Sequence, residues 1–245
     1  MKYVFGNWKM YLNAAETVAL ATGLKNETVE EKVSVAVFPL LLSVQDTAEI
    51  LKNTEWRVGA QNVSWTPQGA YTGAVSALMF KDIGCEYALV GHSERRHIFG
   101  ESDTAVRKKI EACLDAGLTP VLCVGETKEE KDEGKREYRL KKQLYTALDG
   151  LTLNGRIPLI AYEPVWAIGT GTPCLPADAD DVQGWIKKEA QQYLGTEPVV
   201  LYGGSVTPEN VLSYLTLPTC DGVLVGGAST KQDSFLALIR AAASI

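Results

Sequence analysis

Eight short apolar runs recur along this chain at intervals of about thirty residues, the length of one strand-helix unit. They are Tyr3 to Phe5, Val33 to Phe38, Trp56 to Ala60, Tyr87 to Val90, Pro120 to Val124, Ile157 to Tyr162, Pro198 to Tyr202 and Gly222 to Val225. Continuous apolar runs suit parallel strands buried on both faces, and the longer amphipathic stretches between them suit crossover helices. Eight units within 245 residues fit a closed (β/α)8 barrel better than an open doubly wound sheet, which usually has fewer strands or a second domain. No Pro-, Gly- or Ser-rich linker divides the chain, so residues 1–245 are expected to form one α/β domain.

Helix boundaries are legible in places. Asn13 with Glu16 has the spacing of a capping box, Thr207-Pro208 reads as an N-cap followed by proline at the first helical position, and Gly117, Gly150 and Gly195 fall where helices should end. The charge-dense stretch from Thr127 to Asp149 is predicted to be the solvated face of one long helix.

Each apolar run ends in glycine or a polar residue, and a closed barrel gathers such ends on one rim, where ligands are handled. The sixth run ends on Glu163-Pro164, making this carboxylate a candidate general base, although a helix-capping carboxylate would fit the same pattern. The residues that follow set Val165, Trp166 and Ile168 among Ala167, Gly169, Thr170 and Gly171. Such a segment suits an apolar lid that keeps water from a reacting group. Gly203-Gly204-Ser205 and Gly226-Gly227 follow the seventh and eighth runs, where phosphate sites in such barrels are commonly built; either pair alone is also explained by a tight turn. His92 begins His-Ser-Glu-Arg-Arg, which reads as a helix start whose dipole disfavours the imidazolium, so the ring would act as a neutral donor; a structural histidine is the plainer reading of this residue alone. Lys9, just past the first run, is either a surface cation or the electrostatic partner of a developing oxyanion. Together these groups suit abstraction of a proton next to a carbonyl in a small phosphorylated substrate, with Glu163 as base and His92, Lys9 and Asn7 stabilising the enediolate.

At Gly6 to Met10, Gly91 to Arg96, Ala161 to Gly171, Tyr202 to Asn210 and Gly226 to Ser229 the chain resembles the triosephosphate isomerase family, and these stretches span nearly its whole length. The resemblance implies interconversion of dihydroxyacetone phosphate and D-glyceraldehyde 3-phosphate in glycolysis and gluconeogenesis, without cofactor or metal. It implies that Glu163 shuttles the proton, that His92 polarises the carbonyl, and that Lys9 and Asn7 face the substrate oxygens with Glu94 behind them. The N–H groups of Gly169, Ser205, Gly226 and Gly227 would hold the phosphate. Pro164 to Gly171 would be the lid, with Tyr202 latching it through the backbone of Cys174 and Trp166 exchanging partners near Glu126. It also implies a homodimer in which the loop Gln61 to Ser76 carries Thr72 to Asn7 and Glu94 of the partner; Trp65 and Tyr71 would otherwise be exposed aromatics.

The chain departs from the family pattern at Thr172-Pro173-Cys174 with Pro176, where two prolines stiffen the trailing hinge; at Ala74, which replaces an acidic interface residue; and at Phe5, which stands for a glycine. Ribulose-phosphate epimerases, another group of phosphate-binding barrels, need metal ligands that two histidines cannot supply, while a catalytically impaired barrel kept for binding or scaffolding would be expected to lose Glu163, His92 or Lys9, all present here. The net charge of −6 offers no general attraction to nucleic acid or an anionic membrane. With no signal peptide, no apolar stretch of the ~20 residues a span needs, and five cysteines without Cys-x-x-Cys spacing, a cytoplasmic location with reduced thiols is expected. Cys123, inside a strand, reads as core packing, and Cys174, within the lid's trailing hinge, is the thiol that only an open lid would expose to oxidation.

Overall fold

The computed structural model describes residues 1–168 and 173–245. Its first half runs β1 (Lys2–Asn7), α1 (Ala14–Lys25), β2 (Val33–Phe38), α2 (Val44–Leu51), β3 (Trp56–Ala60), α3 (Ala77–Asp82), β4 (Tyr87–Val90), α4 (Ser93–His97) and α5 (Asp103–Ala116). It continues with β5 (Thr119–Val124), α6 (Lys128–Asp132), α7 (Arg136–Leu148), β6 (Leu159–Tyr162), α8 (Pro176–Leu194), β7 (Val200–Tyr202), α9 (Val211–Leu215), β8 (Gly222–Val225) and α10 (Gln232–Ala243). The strands pair in parallel in sequence order, and β1 closes on β8, giving the predicted closed (β/α)8 barrel.

Two apolar layers hold the barrel. Phe5, Ala36, Phe38, Leu89, Val121, Cys123, Leu159, Ala161, Leu201 and Leu224 fill its interior, and Phe5 packs against Phe38 and Tyr87 at ring-centroid distances of 5.7 and 4.9 Å. The larger layer lies between the strands and the helices. Glycine is required where backbone must approach backbone: a Cβ on Gly222 would lie 2.1 Å from the Tyr3 carbonyl oxygen, across the β1–β8 closure.

The caps form where the sequence places them at Asn13, with a complete capping box, and at Gly117 and Gly195, both in the left-handed region that costs glycine nothing. Two expectations are corrected. The stretch from Thr127 to Asp149 is two helices, α6 capped by Thr127 and α7, separated at Gly134, whose φ of +70° is incompatible with a continuing helix. After Thr207-Pro208 the chain first makes a turn, in which the side chain of Asn210 accepts the Thr207 N–H, and α9 starts at Val211. Among the described residues no helix is long and apolar enough to cross a membrane.

Candidate active site

The carboxyl ends of the strands place the expected groups around one cleft of about 280 Å3, lined by Asn7, Lys9, His92, Glu163, Ile168, Gly203 to Thr207 and Gly226 to Ala228. Glu163 is the residue after β6; its backbone N–H donates to the Val124 carbonyl at 2.7 Å and its side chain is buried. Its Oε2 accepts the Ser93 N–H at 2.8 Å, and its Oε1 lies 3.2 Å from His92 Nε2. His92 caps α4, and its Nδ1 accepts the N–H of Glu94 at 3.2 Å. A ring nitrogen that accepts a backbone N–H carries no proton, so the imidazole's proton sits on Nε2, the nitrogen facing Glu163.

Lys9 adopts a φ of +48°, a left-handed conformation that costs a lysine about 1–2 kcal/mol. Neighbours hold it there: its N–H donates to Asn7 Oδ1 at 3.0 Å, and Gln61 Nε2 donates to both the Lys9 carbonyl (2.8 Å) and the Phe38 carbonyl (2.9 Å). The Lys9 ammonium ends 2.7 Å from Glu94 Oε1. Strain kept by converging partners fixes where a functional cation points. Gln61, which the sequence offers only as the first residue of the 61–76 loop, thus holds the Lys9 backbone in place.

The glycines do more than leave a cradle. A Cβ on Gly203 would come 3.0 Å from Glu163 Cγ, and one on Gly226 would come 3.2 Å from Lys9 Cε, so each leaves room for a polar side chain of the cleft. Ser205 is held by Asn210, whose Nδ2 donates to the Ser205 carbonyl at 3.2 Å; Gly227 starts a 3-10 turn, Gly227–Thr230. Gly169, Thr170, Gly171 and Thr172 lie outside the described residues.

Beyond Glu163 the chain makes a 3-10 turn over Val165–Ala167. Trp166 Nε1 donates to Glu126 Oε1 at 2.8 Å, an oxygen that also accepts from the Tyr162 hydroxyl (3.1 Å) and Arg136 Nε (3.2 Å), while the Glu126 carbonyl accepts the Val165 N–H. The Tyr202 ring stacks on Tyr214, centroids 4.0 Å apart, and the Tyr214 hydroxyl donates to the Cys174 carbonyl at 2.6 Å. Cys174 is buried, and this burial, with Asp178 nearby, pushes its thiol up to about 12. The loop Gln61 to Ser76 projects from the same rim, pinned at its base by the Ser64 N–H on the Val75 carbonyl, with Thr72 exposed.

The C-terminal rim of this parallel barrel thus sets one carboxylate against an imidazole, with a lysine and two glycine-lined turns alongside. The family model of triosephosphate isomerase matches residues 2–242. Triosephosphate isomerases of Roseiflexus castenholzii (45% identical over 244 residues, covering 96% of this chain and 95% of the relative), Thermus thermophilus (43% over 244, covering 98% of each) and Dictyoglomus thermophilum (41% over 246, covering 98% of each) are similar along nearly the full length. The chain belongs to the triosephosphate isomerase family.

Proposed function

We propose that this enzyme interconverts dihydroxyacetone phosphate and D-glyceraldehyde 3-phosphate through an enediolate, with Glu163 as base and His92 as electrophile. The approach of Glu163 Oε1 to the Nε2 proton of His92, on the cleft that Lys9 and Asn7 also line, is the observation that carries the reading. Glu163 takes a proton from the carbon next to the carbonyl, and the electron pair of that C–H bond becomes the C=C bond while the carbonyl pair moves onto oxygen. His92 Nε2–H donates to that oxygen and the Lys9 ammonium offsets its charge, an oxyanion donor of this kind contributing ~3–4 kcal/mol. Returning the proton from Glu163 to the neighbouring carbon, with one hydroxyl proton relayed through His92, completes the isomerisation with no net redox change. In the state described here Glu163 is tied to the Ser93 N–H, so taking up the proton requires that bond to be exchanged for the substrate. The N–H groups of Ser205, Gly226 and Gly227, with Gly169, hold the phosphate, and Pro164 to Gly171 with Tyr202 exclude water from the enediolate. A scaffold barrel without activity is not favoured: it would not need an unusual backbone at Lys9 or room at Gly203 for the base.

Binding of 2-phosphoglycolate, whose carboxylate copies the planar enediolate beside a phosphate, tests the site. At about a hundredfold excess over Kd, mass action should raise the melting temperature by roughly 5–10 °C. An unshifted melting curve would rule the site out.

The second reading is a cytoplasmic homodimer. Met10, Leu42, Trp65, Tyr71, Ile98 and Phe99 are exposed, and several of them line a cleft of about 530 Å3 that runs from Lys9 and Glu94 to the 61–76 loop. Thr72 of one protomer would enter that cleft on its partner and cover these aromatics.

A further inference from the structure

Arg136 opens α7, far from the reacting groups in sequence, and none of the motifs above includes it. Its guanidinium faces two ways. Nε donates to Glu126 Oε1 at 3.2 Å, while the two terminal nitrogens form a fork on Asp178, to Oδ1 at 2.7 Å and Oδ2 at 3.0 Å. Each carboxylate holds a different flank of the stretch that carries Glu163. Glu126, fully buried, receives Tyr162 and Trp166 through its side chain and Val165 through its carbonyl, so the residues on both sides of Glu163-Pro164 hang on it. Asp178 lies in the first turn of α8, accepts the Cys174 thiol at 3.6 Å, and takes Lys131 Nζ at 3.0 Å. Lys131 in turn lies over the Trp166 ring at 3.6 Å.

A buried carboxylate such as Glu126 needs a cation, and one lysine could supply it. Only a planar fork reaches Glu126 and pairs with both oxygens of Asp178 at once. We propose that Arg136 and Asp178 are positioning residues for Glu163: they fasten the chain before and after the Glu163 to Cys174 stretch to one guanidinium, and so fix the direction from which the base approaches the substrate. The inference rests on the reading of Glu163 as the base.

The Asp178 carboxyl is held down at about 2, first by its hydrogen bonds from Arg136, against partial burial that acts the other way, with Lys131 adding to the effect. The Asp178 carboxylate on the Arg136 fork is therefore charged across the pH range in which the enzyme would be assayed.

Asp178→Asn is the informative variant, because it keeps the shape and leaves the Arg136–Glu126 pair intact while weakening the link to α8. It is compared with Arg136→Met, with the double variant, and with the unaltered enzyme, reading kcat, KM and melting temperature. Each single variant should lower kcat about 5- to 20-fold, as a base displaced by a fraction of an ångström would, with KM changed less than about threefold. The double variant should lose no more than Arg136→Met, since both changes cut one linkage. Arg136→Lys, which can reach one carboxylate but not both, should resemble Asp178→Asn, and it replaces Arg136→Met in the comparison if that variant does not fold. A kcat within twofold of the unaltered enzyme in Asp178→Asn would overturn the positioning role alone. Losses that multiply in the double variant, or that follow the melting temperature down, would assign the cluster to stability only. Failure of the unaltered chain to isomerise would overturn the reading of the base and this inference with it.

Discussion

Tyr214 and Gln61 act through hydrogen bonds at long sequence separation. The Tyr214 hydroxyl holds the Cys174 carbonyl at a point where Pro173 and Pro176 leave few backbone donors, and its ring is the floor on which Tyr202 stacks. Tyr214→Phe keeps that stack and removes only the hydroxyl, stranding a buried carbonyl, so unfolding stability should fall by about 1 kcal/mol in chemical denaturation. A midpoint equal to that of the parent would mean that water or another donor serves Cys174. Neither residue is legible as functional in the sequence, because the contacts join positions 40 and 52 residues apart. The groups assigned to the proposed chemistry were legible as candidates, because Glu163, His92 and Lys9 each stand within two residues of the end of a readable strand.

Strands set the site's precision. The ends of β5 and β6 come so close that a Cβ on Gly125 would lie 1.7 Å from the Glu163 carbonyl oxygen. Gly125→Ala must push the two strand ends apart and displace the base. We expect a loss of about 3 kcal/mol in stability and at least tenfold in kcat/KM, checked by denaturation and steady-state kinetics; normal kinetics would mean that Glu163 is not held by the strand at all. Apolar runs located the strands to within two residues, since a buried parallel strand has no other composition open to it. Charge density was a poorer guide: Thr127 to Asp149 reads as one solvated helix, yet Gly134 breaks it and turns Arg136 inward toward Glu126 and Asp178. A guanidinium destined for a clasp and one destined for solvent look alike in a sequence.

The whole barrel gathers eight strand ends on one rim, and that rim also carries the exposed aromatics of the 61–76 loop. If those aromatics are covered by a second copy, the enzyme should sediment at twice its 26.6 kDa, and Thr72→Arg, which would place a charge in the partner's cleft, should shift it toward the monomer. Sedimentation at the monomer mass for the unaltered chain would contradict the dimer. Closure of the barrel was deducible from the count and spacing of the runs. The register of β1 on β8 was not, because it is fixed by the fit of Gly222 against Tyr3 rather than by any local pattern. One rim bearing a carboxylate base and an imidazole proton donor is the basis of the proposed chemistry, and a coupled assay of D-glyceraldehyde 3-phosphate isomerisation, run beside Glu163→Gln, examines it directly. The unaltered enzyme should turn over rapidly and Glu163→Gln should lose at least ~10²-fold in kcat. Equal rates in the two proteins would show that Glu163 is not the base, and no turnover in either would leave a phosphate-binding barrel without the chemistry.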